Sequence, residues 1–207
     1  MKQVTTLLIL FITLTGFSQT AYEKGMNKAF ATWGEGNSVE ASNLFERISK
    51  AEKDNWIPLY YVAQVNILHS FGEKDKTQLQ LKLDKAKEAL EKAKELSPDN
   101  AELLVLEALH NTAWIAFDGA TYGMTLGGPT TEIYNKAVAL APDNPRVVYC
   151  FAEWNMGMAS YFGKDTTPYC NDMKKAIELF STFKNETLFY PSWGLDRAEQ
   201  LYKNCNQ

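Results

Sequence analysis

Apolar residues recur along this chain at three- and four-residue steps, the spacing of one helix face, and the pattern repeats. Small Ala63, Ala108 and Ala152 each stand in the middle of an apolar segment, 45 and then 44 residues apart. Three positions on, each is followed by an asparagine: Asn66, Asn111 and Asn155. A second apolar face lies between these segments. Ala41, Phe45 and Ile48 precede "EKDN", Ala86, Leu90 and Ala93 precede "SPDN", and Tyr134 and Ala137 precede "APDN". Two antiparallel helices can approach closely only where side chains are small, and the large residue between fills the groove. Proline then ends the pair, and Asp99-Asn100 or Asp143-Asn144 caps the next helix.

A small residue in the first helix, a small-large-small series in the second and a proline before the next unit resemble tetratricopeptide repeats. The resemblance covers nearly all of the chain after its first residues. It implies an all-α, right-handed solenoid of helix-turn-helix units over about 22–55, 56–100, 101–144 and 145–190, closed by a capping helix over 191–205. Ala29 and Ala198 supply the small mid-helix residue of the first unit and of the capping helix. In that family the first helix of each unit faces the concave groove, so the resemblance makes Tyr60, Gln64, Glu102, Arg146, Tyr149 and Glu153 candidate binding residues. The repeated asparagines fit structural amides bonded across to a neighbouring helix.

The last three units exceed the usual repeat by ten or more residues, and the excess is expected between their two helices: "HSFGEKDKTQ", "FDGATYGMTLGGPT" and "YFGKDTTPYC". Each holds an aromatic shortly before a glycine. Insertions at equivalent places in a solenoid collect along one edge, often the binding edge. The stretch holding Gly119, Gly123, Gly127 and Gly128 is expected to be an ordered loop, with a helix starting at Pro129 and "TTE". It has no phosphate-loop pattern.

Chemistry adds little beyond this. His69 and His110 have no cysteine or carboxylate at ligand spacing, no nucleophile or zinc motif is present, and Glu107 and Glu153 read as interhelical acids. No catalytic residue, metal or cofactor is expected, and the chain is read as non-enzymatic. The first 18 residues, "MKQVTTLLILFITLTGFS", combine a basic residue, an apolar run and small residues around Phe17, the layout of a cleaved signal peptide. A single domain over 19–207 in the periplasm is the expected product, with secretion as the alternative and no membrane insertion after cleavage. Its formal charge of −4, or −5 once Lys2 is removed, gives no footprint for nucleic acid. An Asn185-Glu186-Thr187 glycosylation pattern matters only in a eukaryotic secretory pathway.

Three cysteines in an exported chain leave one unpaired. Cys150 falls in an apolar helix and reads as a buried thiol. If the helix beginning at Cys170 and the one ending at Cys205 are antiparallel neighbours, those two residues meet and can form a disulfide; two free thiols are the alternative. The leading functional expectation is a protein or peptide partner in the cell envelope, bound in the groove or along the insertion edge as an adaptor or scaffold. A second is a small-molecule carrier or enzyme with a pocket beneath residues 118–129, drawing on Trp114, Tyr122, Glu107 and Glu153.

Overall fold

The computed structural model describes residues 21–205, and the expected signal segment lies outside them. Helices α1 (21–34), α2 (Ser38–Ala51), α3 (Trp56–Ser70), α4 (Lys76–Leu96), α5 (Ala101–Phe117), α6 (Gly119–Leu140), α7 (Pro145–Tyr161), α8 (Cys170–Thr182) and α9 (Leu195–Asn204) follow one another, and no strand occurs among the described residues. Consecutive helices pack as pairs, and α3, α5 and α7 also pack side by side. The result is the expected helical-repeat solenoid with α9 docked on α8 at its end.

Asparagine starts three of the inner helices. Asn55, Asn100 and Asn144 each accept, through Oδ1, the backbone N–H two residues on, which satisfies one of the donors a helix leaves open at its start. Pro145 then occupies the first turn of α7, where a missing N–H has no cost. The expected small positions are the close approaches: Ala29, Ala41, Ala63, Ala86, Ala93, Ala108, Ala137 and Ala198 have no exposed surface. Asn66 is a structural amide of the expected kind, since its Nδ2 donates to Ser42 Oγ at 2.8 Å and to the Val62 carbonyl at 2.7 Å.

The two helix classes bury different shares of their surface. Helix α4 buries a stripe of Leu79, Leu83, Ala86, Ala89, Leu90 and Ala93, whereas α3 buries residues almost all round, including Tyr60, Tyr61, Gln64 and Asn66. The second helices therefore face solvent on one side, and the first helices are covered on both.

The glycine-rich insertion is not a loop. Helix α6 begins at Gly119, with only Asp118 between it and the end of α5, and continues unbroken through Gly127, Gly128 and Pro129 to Leu140. Asp118 closes α5 and starts α6, its carboxylate accepting the Thr121 N–H. Each glycine costs about 1 kcal/mol in helix propensity, and packing along the whole of α5 overrides that cost. Threonine hydroxyls take up nearby carbonyls around the proline: Thr130 Oγ1 donates to Leu126 O and Thr131 Oγ1 to Gly127 O. The extra length of the repeats is thus mostly helix, and the linkers between paired helices are short except at 162–169, which holds a 3-10 turn at Thr167–Tyr169.

Candidate functional site

The concave side of the first helices is filled by the protein's own chain. Between α8 and α9, residues 183–194 run without helix across the groove, carrying Phe183, Phe189, Tyr190 and Trp193. The Phe189 ring packs against Tyr22 and Phe30 of α1, and its carbonyl accepts the Tyr61 hydroxyl at 3.0 Å. Tyr190 meets Trp56 edge-on, and Trp193 Nε1 donates to Tyr60 Oη at 2.6 Å while its ring packs against Tyr149. This strap therefore contacts α1, α3 and α7 in turn. The capping helix consequently starts at Leu195 and not near residue 191, because Gly194 adopts φ 111° and closes the extended segment.

Beneath the strap lies a buried ion pair. Arg146, 1% exposed, donates through Nε and Nη2 to the carboxylate of Glu102, which is fully buried, at 2.7–2.9 Å. Asn144 Nδ2 adds a third donor to the same carboxylate at 2.6 Å. The guanidinium plane lies under the rings of Phe183 and Tyr190, 4.9 and 5.7 Å from their centroids. Burial pulls the Arg146 pKa down, but the hydrogen bonds and charge of Glu102 outweigh it and hold the guanidinium more firmly protonated. Burial raises the Tyr60 phenol well above its ordinary value, with the Glu102 charge adding to the effect. It raises Tyr149 in the same direction, assisted by Cys150 and Glu153.

Five of the six candidate groove residues are buried in this arrangement: Tyr60, Gln64, Glu102, Arg146 and Tyr149. Glu153, half-buried, is turned to α9, where its Oε1 accepts Arg197 Nε and Nη2 at 3.0 and 2.7 Å. Glu107 pairs with Lys94 of α4. Neither acid joins Trp114 and Tyr122 in a pocket, and both act as interhelical acids. Among the described residues no group of three or more metal-ligating side chains is present.

Gly194 gives the strap its exit. A β-carbon there would stand 3.0 Å from Phe180 and 3.1 Å from Tyr149, in a backbone conformation that side chains resist. Gly194→Ala should destabilise the protein by about 2–3 kcal/mol in urea denaturation, combining left-handed strain with displaced rings; a change below ~0.5 kcal/mol would show that the strap tolerates movement.

The opposite end of the first helices presents a different surface. Leu68 and Phe71 at the end of α3, Met124 in α6, and Tyr161 and Phe162 at the end of α7 are exposed, Met124 at 93%. Half-buried Trp114 of α5 packs on Tyr122 of α6 with ring centroids 5.0 Å apart. Because α3, α5 and α7 lie side by side, these residues form one apolar edge along their C-terminal ends. It coincides with the edge at which the sequence places the insertions. Met124 carries no aromatic signal in the sequence, and the strap is not evident from periodicity, although "FKNETLFYPSWG" sets four aromatic rings among helix-breaking residues.

Cys170 and Cys205 are joined, with Cα atoms 6.0 Å apart, and Cys150 is a free, buried thiol. No protein-family model matches the chain, and no curated protein matches it. Among solved structures, the chain superposes on the HusA haemophore from Porphyromonas gingivalis with a TM-score of 0.79 at 23% identity, over 90% of this chain and 93% of HusA. It shares the HusA fold. A thermophilic tetratricopeptide-repeat protein from Thermus thermophilus gives a TM-score of 0.42 at 15% identity, over 89% of this chain and 98% of that one. No described helix is long and apolar enough to cross a membrane.

Proposed function

We propose that this chain is an exported, non-enzymatic carrier that binds a flat, largely apolar small molecule of the porphyrin class along its insertion edge. The observation that carries this reading is the contrast between the two sides of the first helices. Their groove is occupied by the strap, while Phe71, Trp114, Tyr122, Met124, Tyr161 and Phe162 leave apolar surface at the edge. Contiguous exposed apolar surface marks a binding site, and aromatic faces with methionine suit a planar ring system. The description of HusA as a haemophore supports the ligand class. The Cys170–Cys205 disulfide supports an oxidising compartment, in agreement with the signal-like start of the sequence.

A peptide or protein partner in the groove is the second reading, and it requires the strap to leave. Its aromatic anchors, Tyr60 and Tyr149, are already engaged by Trp193.

The test uses two surface substitutions that leave the core intact. Met124→Glu combined with Phe162→Glu should weaken binding of mesoporphyrin, followed by quenching of tryptophan fluorescence, by about ten-fold or more, as expected for loss of two apolar anchors. Thermal stability should stay within a few degrees of the parent protein. Unchanged affinity would refute the edge as the site, and absence of binding by the parent protein would refute the ligand class.

A further inference from the structure

Two exposed lysines stand over rings of this same edge. Lys76, at the start of α4, holds its Nζ 5.9 Å from the centroid of Tyr122, and Lys164, just beyond α7, holds its Nζ 6.0 Å from that of Phe162. They belong to the second and fourth helix pairs, with Trp114 and Met124 of the third pair between them. The acids nearby are committed elsewhere. Asp75 caps α4 by accepting the Thr77 and Gln78 N–H groups, Asp118 caps α6 on Thr121, and Asp165 accepts both the Thr167 N–H and its hydroxyl. Glu73 is paired with Lys82 at 2.7 Å. Asp118 still interacts electrostatically with Lys76, so that lysine is partly offset.

We infer that the edge selects an anionic ligand: a planar apolar ring system with carboxylates on its perimeter, for which Lys76 and Lys164 are the cations bordering the apolar surface. The inference rests on the edge being the ligand site. An ammonium over an aromatic face is held at the border of the apolar surface. A planar ligand seated on that surface brings its rim to the same border, and a carboxylate there gains a charge-assisted contact that a neutral substituent cannot make. Both lysines are exposed, so the contribution is modest and falls as salt rises.

The experiment compares mesoporphyrin IX, which carries two carboxylates, with its dimethyl ester, on the parent protein and on the Lys76→Met, Lys164→Met double variant. At low salt the parent should bind the free acid about three- to five-fold more tightly than the ester, the gain of one exposed ion pair with either lysine. In the double variant that preference should fall to about two-fold or less, with ester affinity unchanged. Equal affinity of the parent for acid and ester, or a preference that survives both substitutions, would overturn the lysine assignment while leaving the edge as a site for neutral planar ligands. Failure of both porphyrins to bind the parent would overturn the edge reading, and the lysine assignment with it.

Discussion

Replacing Arg146 with alanine is expected to destabilise the protein by about 3–5 kcal/mol, enough to unfold a marginal domain. The cause is what remains. Glu102 has no exposed surface, and without the guanidinium its carboxylate keeps only the Asn144 amide from another element. The loss also removes the platform on which Phe183 and Tyr190 lie, so the strap should loosen in the same variant. Arg146→Lys should recover little, since an ammonium cannot reproduce the forked contact or the planar stacking. A double substitution, Glu102→Leu with Arg146→Met, should cost much less than Arg146→Ala, because it leaves no buried charge unpaired. Urea denaturation of the three variants measures the ordering. If Arg146→Ala loses less than ~1 kcal/mol, the ion pair is not closed off from water as described.

The second large effect belongs to the disulfide. Cys170 and Cys205 close a stretch of 35 residues that contains the strap and α9, and removing the bond by Cys170→Ser with Cys205→Ser should cost about 3–4 kcal/mol from the loop-closure entropy returned to the unfolded chain. Hydrogen exchange should rise first in 183–205, since α9 and the strap depend on that closure. The oxidised folded protein should show no thiol that reacts with a disulfide reagent at neutral pH. Burial, with the charges of Glu153 and Glu102, pushes the Cys150 thiol well above its usual range, which keeps it protonated as well as inaccessible. Denaturation without reductant should release one thiol per chain. A count of three would show that Cys170 and Cys205 are unpaired in the purified protein.

The helical repeat could be read from the sequence because its signals are local. Ala63, Ala108 and Ala152 mark helix contacts that only a small residue permits, and the Asp-Asn pairs before α5 and α7 cap the helices they precede. The Cys170–Cys205 pairing was legible for a related reason: two adjacent antiparallel helices place the start of one beside the end of the other. The course of α6 was not. Gly123, Gly127, Gly128 and Pro129 all disfavour helix locally, and only packing against α5 makes the segment continuous. The groove residues were placed on the correct helices, yet their availability depends on a segment far away in sequence. Tyr60 and Trp193 are 133 residues apart, and no periodicity links them. The apolar edge and most of its aromatics are legible through the insertions, but Met124 is not, because it lies on the stretch of α6 that local glycine and proline signals read as loop.

On the proposed reading, a filled groove and an open apolar edge let the same solenoid serve two purposes. The strap supplies stability by burying aromatic rings over the first helices, and the edge keeps apolar surface at the other end of those helices. Backbone chemical-shift mapping of the isotope-labelled protein during titration with mesoporphyrin tests this division most directly. Progressive shifts confined to Phe71, Trp114, Tyr122, Met124, Tyr161, Phe162 and their neighbours, with Tyr60, Arg146 and Tyr190 unmoved, are the predicted result. Shifts centred on the strap and on Tyr60, Glu102, Arg146 and Tyr149, or no shifts at saturating ligand, would contradict it.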